Sequence, residues 1–394
     1  MSTADRHGES ATAASDIASV CRDAGLVRLV AAPDGDALAA TGVLARALDA
    51  ADRPFQASVA ADPDAASVTD ADATVAVGHD ATTADCTLEP GTTPVSERAF
   101  AVAAELGEAD PVLALAGATA SDVTASGDVL DAARDTDGNG VERRPGLGVP
   151  TADLVDGLAH STLVYGPFSG DVDAARAALA DCDRMLAAED ATGLDETDHR
   201  AIASLVAIRT TTADDVPPRA ATAVERVLRP HVGGPFGTVE GYGDVLDAVA
   251  REQPGTGIAL ALGHDARDAA LDVWRDHGER AHRALTSATT GRYDGLFVAR
   301  GDAADLGIDG ADAALVPVGT AARLLRDFRS PEPVALFVTD GRAAAAATEG
   351  HDVASAMATA ADSVGGVAAG SGRRARATFE TDTAAFIMAF REAL

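Results

Sequence analysis

Short apolar runs alternate with stretches of helical spacing along most of the chain. Leu26–Ala32 is apolar at every position but Arg28, the pattern of a buried strand, and Ala37–Ala51 follows with the spacing of a helix. Phe55–Ala60 and Thr74–Val77 read as further strands. Val95–Leu106, opened by Pro94, and Pro111–Ala118 read as helices. Ahead of them, Ser15–Ala24 is spaced as a short helix stopped by Gly25, and Met1–Ala14 as a disordered polar tail. Strand and helix in turn predict a parallel sheet covered by helices, an α/β fold.

Asp135–Pro150 is rich in Gly, Asp and Arg and reads as a loop or hairpin, and Asp171–Asp190 and Asp195–Ile208 as helices. The alternation then resumes. Val245–Arg251 is spaced as a helix, Ile258–Leu262 as a strand, and Ala266–Leu285 as a long helix carrying Trp274. Gly295–Val298, Ala313–Val318 and Val334–Thr339 read as strands, with helices over Ala321–Phe328 and Val353–Val364. Gly365–Ser371 reads as a Gly/Ala loop, Arg376–Phe379 as a strand and Thr383–Leu394 as a closing helix. Thr, Asp and Pro cluster at Thr210–Pro218, which marks a boundary. A length of 394 residues also predicts two domains more readily than one.

Composition changes this picture in two ways. Hydrophobic residues make up 47% of the chain but aromatics only 4%, so the core is built from Ala, Val, Leu and Ile. The 31 basic residues are all arginine and face 62 acidic ones, for a net charge of −31. The acidity is spread along the whole chain. That favours adaptation to molar salt over a single acidic protein seeking cations or basic partners. At such ionic strength the Debye length falls to roughly 3 Å or less, so the negative charge does not exclude nucleic acid. Cys21, Cys86 and Cys182 show no CxxC spacing and read as reduced thiols. No signal peptide is read at the polar N-terminus, and no apolar run approaches the roughly 20 residues that span a bilayer. A soluble, cytoplasmic protein without a membrane partner is expected.

The chemistry centres on Pro33-Asp34-Gly35-Asp36. A strand that delivers two aspartates to its carboxyl end is a way to hold Mg²⁺ or Mn²⁺ against a phosphate. The same four residues also make a turn with a helix N-cap, and both readings stand. His79-Asp80 follows the strand Thr74–Val77 and reaches the same sheet edge, either as ligands or as a surface turn. His160, His199, His277 and His282 show no metal-ligand spacing, and Asp265 reads as a helix cap beside His264. No GxSxG elbow, Walker loop or strand-following GxGxxG is present. Gly365 and Gly366 precede Arg373, Arg374 and Arg376. A Gly-rich turn with three arginines grips a phosphate backbone; an edge strand kept soluble by charge uses the same residues.

Taken in order, these pieces resemble the DHH phosphoesterase superfamily, and within it the archaeal RecJ-like proteins. Ala32-Pro33-Asp34-Gly35-Asp36-Ala37-Leu38 is similar to the first family motif, HxDxDxxG/A, with Ala32 in place of the histidine. Ser96–Leu106 and Asp110–Ser121 resemble the helix pair leading to the fourth motif, with Ser121 and then Asp122 where the family has aspartate. Gly140–Pro150, Gly241–Arg251 and Gly255–Gly263 resemble the archaeal branch and its connector. Val364-Gly365-Gly366 resembles the Gly-rich motif of the DHH-associated C-terminal domain, without its histidine. The Asp-His-His triplet that names the superfamily is absent; Gly78-His79-Asp80 is its nearest counterpart.

The resemblance implies an N-terminal tail and helix over 1–24, a DHH-like parallel-sheet domain over 25–210 and a connector over 211–255. A smaller DHH-associated α/β domain then covers 256–394, the two domains facing across a cleft. It implies metal ligands at Asp34 and Asp36, with His79, Asp80 and Asp122 as candidate substitutes, and Mn or Mg only if the site is active. Nucleic acid is assigned to Gly365, Gly366, Arg373, Arg374 and Arg376. The leading expectation is a RecJ-like protein with a degenerate site. It would act in DNA replication or repair with single-stranded DNA or RNA and a GINS-type complex. The alternatives are an active Mn/Mg-dependent exonuclease or small-nucleotide phosphodiesterase, and an α/β scaffold with no nucleic-acid role.

Overall fold

The computed structural model describes residues 14–63, 70–79, 83–124, 126–136, 140–180, 193–212, 215–301 and 316–394. The described residues open with α1 (14–23), β1 (Val27–Ala31), α2 (Gly35–Ala50), β2 (Phe55–Val59), β3 (Ala73–Val77) and β4 (Cys86–Leu88). Helices α3 (Val95–Leu106), α4 (Pro111–Ala120) and α5 (Gly127–Arg134) follow, then β5 (Glu142–Arg143). Next come α6 (Leu154–His160), α7 (Val172–Leu179), α8 (Glu196–Thr211), α9 (Arg219–Leu228) and β6 (His231–Val232). They lead to α10 (Val239–Glu252), α11 (Pro254–Ala261) and α12 (Arg267–Ser287). The last part holds β7 (Thr289–Tyr293), β8 (Leu296–Arg300), α13 (Val318–Phe328), β9 (Val334–Thr339) and β10 (Arg342–Ala347). It closes with α14 (Val353–Ser363), β11 (Val367–Ser371), β12 (Arg374–Thr378) and α15 (Thr383–Ala393).

These elements form two compact units that interleave along the chain. The first comprises Met1–Arg144, Gly148–Thr151 and Pro230–Trp274; the second comprises Pro145–Leu147, Ala152–Arg229 and Arg275–Leu394. The segment read as a connector, 211–255, carries α9 in the second unit and α10 in the first.

The first unit holds a parallel four-stranded sheet in the order β2-β1-β3-β4. Every residue of β1 is buried, Arg28 included, although it is the one polar position in the run. One core joins β1 and β3 to α1, α2, α3, α4, α10, α11 and the start of α12, ending at fully buried Trp274. Small residues let these helices close on α2. A Cβ on Gly42 would stand 2.8 Å from the Cβ and carbonyl oxygen of Ala261. The apolar run Ile258–Leu262, expected as a strand, is instead helical, with Ile258–Ala261 in α11 and Leu262 as its C-cap. Pro254 occupies the first turn of that helix, and a short apolar run has no periodicity of its own to separate strand from helix.

The second unit holds a six-stranded sheet in the order β11-β12-β10-β9-β8-β7. Among the described strands of this sheet only β8 and β9 pair in parallel; the other ladders are antiparallel. Parallel neighbours need a crossover, and α13 lies in it. One face of the sheet packs on α14 and α15 around a core that includes Leu336, Val338, Met357, Phe386 and Phe390. Gly365–Ser371, expected as a loop, contributes edge strand β11 beyond its two glycines. The strand expected over Ala313–Val318 lies partly outside the described residues, and Val318 opens α13. The part of Asp171–Asp190 beyond residue 180 also lies outside them.

Aspartate has a local role in this fold. Helices α2, α4, α6, α7, α8, α14 and α15 each begin on an aspartate whose carboxylate accepts a first-turn amide. That satisfies donors the helix leaves unpaired and places negative charge at the positive end of its dipole.

Candidate functional site

The carboxyl edge of the parallel sheet gathers the first group of expected residues. Register sets Ala31 of β1 beside Val77 of β3, and the Ala32 amide donates to the Val77 carbonyl at 2.8 Å. Gly78 then passes close to α2. Its φ is +75°, and a Cβ there would stand 2.7 Å from the Ala37 Cβ. His79 follows and is buried at this edge. The end of α4 that leads to Asp122 packs on the first turn of α2, where a Cβ on Gly35 would meet the Ala120 Cβ at 2.8 Å. Asp122 has φ +64°, a left-handed conformation that aspartate tolerates better than most side chains. Asp80 lies outside the described residues.

Both oxygens of Asp36 and one oxygen of Asp34 accept main-chain amides. Asp34 is the N-cap of α2 and accepts the Ala37 amide at 2.9 Å. Asp36 is buried, and its two oxygens accept the amides of Val95 and Ser96, at 2.8 and 2.9 Å, which open α3. Burial, with the Asp34 charge nearby, pushes the Asp36 carboxyl up to about 7 against the opposing hydrogen bonds from Ser96 and Val95.

A third aspartate, which the sequence reading did not single out, joins them from α10. Asp247 accepts the Gly35 amide at 3.1 Å, and the Arg251 fork at 3.1 Å from Nε and 2.8 Å from Nη2. Gly35 has no room for a side chain here, since its Cβ would come 2.8 Å from the Asp247 nitrogen. Burial works against the Arg251 charge, but the Asp247 carboxylate and the charge of Asp34 more than offset it and raise the guanidinium pKa. The Asp247/Arg251 spacing of four on one helix was the available signal, but such pairs are common on helix surfaces.

A two-cation phosphoesterase centre needs several carboxylates and imidazoles around each ion. Among the described residues, no three His, Cys, Asp or Glu side chains gather as a metal site. The carboxylates of Asp34, Asp36 and Asp247 bind amides and a guanidinium. This donor set does not fit a two-cation centre.

The second expected group lies on the sheet of the other unit. Gly365 and Gly366 follow the end of α14, and Gly366 meets β12 at its Thr378 end, where a Cβ would lie 2.4 Å from the Thr378 oxygen. Arg373 and Arg374 stand at the opposite end of the β11–β12 hairpin, and Arg376 pairs with Ala369 midway. The glycines and arginines therefore do not share one turn; a five-residue strand separates them. Arg374 and Arg376 alternate with buried Ala375 and Ala377, so they take the sheet face opposite α14 and α15. Arg373 is half exposed, with Glu349 4.0 Å away.

The second unit also holds His160 and His282, read from the sequence as showing no metal-ligand spacing; His160 belongs to a polar group with Asp156, four residues before it, and Arg275. The His160 Nδ1 lies 3.0 Å from an Asp156 oxygen, and Arg275 donates to both Asp156 oxygens, with Nε at 3.0 Å from one and Nη2 at 3.1 Å from the other. Burial alone would raise the Asp156 carboxyl, but the His160 and Arg275 hydrogen bonds hold it down to about 2. Burial likewise opposes the His160 charge, and Asp156 overcomes it and raises the imidazole. His282 is fully buried, and burial holds it near its neutral form, down to about 4. Its Nε2 lies 2.9 Å from the Ser161 carbonyl.

The interrupted α/β architecture has counterparts among solved structures. CDC45 from Entamoeba histolytica matches with a TM-score of 0.60 at 10% identity, over 97% of this chain and 99% of that one. RecJ from Thermus thermophilus, in complex with Mn²⁺, matches with a TM-score of 0.47 at 14% identity, over 98% of this chain and 53% of that one. The chain is thus a two-domain α/β protein that shares the fold of CDC45. At the level of sequence, the uncharacterized protein rrnAC1427 of Haloarcula marismortui is 55% identical over 399 residues, covering 100% of both chains. The chain belongs to that protein's family, and residues 288–392 match the family described as the C-terminal domain of uncharacterized protein rrnAC1427. Among the described residues no helix is long and apolar enough to cross a membrane.

Proposed function

We propose that this protein is a non-catalytic RecJ-like factor that works in DNA replication or repair. It binds single-stranded nucleic acid and docks on a GINS-type complex in the cytoplasm of a salt-adapted cell. The observation that carries this reading is the state of the aspartate pair. Asp36 is held through both oxygens by the amides that open α3, Asp34 through one oxygen by the Ala37 amide, and the neighbouring Asp247 by Arg251. Chemistry on a phosphodiester would need those oxygens on metal. The chain shares the fold of CDC45 along nearly the full length of both chains, and the choice between scaffolding and hydrolysis rests on the carboxylates rather than on that fold. Arg373, Arg374 and Arg376, with the Gly365-Gly366 turn, are the proposed nucleic-acid contacts.

The test uses the purified full chain in molar KCl with Mn²⁺ and end-labelled single-stranded DNA. The expected result is binding without degradation, weakened several-fold in the triple variant R373A/R374A/R376A. Co-purification of GINS components with the native protein is the matching cellular outcome. Robust 5′–3′ degradation, lost in D34A, would overturn the non-catalytic reading in favour of an active Mn/Mg-dependent phosphoesterase.

A further inference from the structure

The acidic edge of the first unit contains a cation of its own. Arg251 stands one helical turn beyond Asp247 on α10 and meets its carboxylate with two donors, at 3.1 and 2.8 Å. Asp247 in turn accepts the Gly35 amide, between Asp34 and Asp36. The Arg251 side chain is 24% exposed and that of Asp247 11%, so the pair sits in a shielded place where charges interact strongly. A guanidinium keeps its charge at every accessible pH and fits a carboxylate through a rigid fork.

We propose that Arg251 is a built-in counter-cation. Its guanidinium closes the Asp34–Asp247 edge to divalent cations, and the same edge takes Mn²⁺ once that charge is removed. The charge balance carries the argument. Asp34, Asp247 and Arg251 together carry one net negative charge, and an incoming dication would have to share the Asp247 oxygens with a fixed positive group. Without the guanidinium, Asp247 loses the cation that its carboxylate now holds beside Asp34, and a hard divalent ion takes that place. The inference rests on reading this edge as an altered phosphoesterase site, but it concerns cation binding alone.

The experiment is a Mn²⁺ titration of the full chain in molar KCl, followed by the electron paramagnetic resonance signal of free Mn²⁺. The wild type is expected to leave Mn²⁺ free through the low millimolar range. R251Q keeps a neutral hydrogen-bonding group at this position. It is expected to bind one Mn²⁺ at least about tenfold more tightly, and R251Q/D34N to lose that gain. R251K retains the charge and is expected to behave as the wild type. R251M is a second neutral variant with the same expected gain. If a neutral variant is unfolded alone, recovery of its circular dichroism on adding Mn²⁺ supports the proposal, and failure to recover overturns it. Wild-type Mn²⁺ binding that disappears in D34N overturns it, as does a folded R251Q that binds no better than wild type. So does an R251K that binds as tightly as R251Q. Nuclease activity of the wild type would instead strike at the non-catalytic reading, so the two failures are distinguishable.

Discussion

Asp156 and His160 lie one turn apart on α6, and their shifts give opposite pH signatures. The Asp156 carboxyl is depressed from 3.8 to about 2, so its contribution to stability is present above 3.8 and is lost as pH falls through that window. The His160 imidazole is raised above 6.5, so its contribution is complete below 6.5 and is lost as pH rises through the folded value. H160Q is therefore expected to cost about 1.5–3 kcal/mol at slightly acid pH, the range of a hydrogen bond to a charged group. The loss should shrink toward basic pH in paired thermal melts of variant and wild type; a pH-independent difference would show that His160 acts by packing alone. Residue-scale legibility was uneven. Pro33-Asp34-Gly35 could be read as a turn ending in an N-cap because capping is local chemistry. Asp36 could not be seen binding α3, nor Asp247 binding Gly35, because those partners are 59 and 212 positions away.

At the scale of elements, α2 depends on how closely its neighbours approach. Gly35 faces the backbone of α10 and the Ala120 Cβ at 2.8 Å each. G35A is expected to destabilise the protein by about 1–3 kcal/mol in urea unfolding, the usual cost of forcing extra volume into a packed core. A cost within a few tenths would mean that α10 moves aside without loss. The strand–helix alternation from β1 to α4 was legible because each short apolar run is bounded by turns that carry Gly, Pro or Asp, whereas Ile258–Leu262, which follows a helix directly, was not. Nor was strand β10. Its sequence Arg342–Ala347 is alanine after the first residue, the best helix former placed in a sheet. Asp340-Gly341, with φ +75° at Gly341, folds β10 back on β9, and α13 and α14 pack against a strand that offers them only methyl groups. Here tertiary packing overrides intrinsic preference, which no local reading of the alanine run registers.

At the scale of the whole molecule, a net charge of −31 must be screened for either unit to remain compact. The melting temperature is expected to rise steadily from about 0.1 M to molar KCl, over the range in which the Debye length falls from roughly 10 to 3 Å. A melting temperature indifferent to salt would show that the carboxylates are neutralised locally by capping and ion pairs. The interleaving of the two units bears on how the protein is made. Strand β1 leaves the ribosome before Trp274, which completes the same core and is translated only after the 152–229 segment of the other unit. The nascent chain therefore presents an unfinished first-unit core until Trp274 emerges, and that core is expected to close only after the intervening segment has been made.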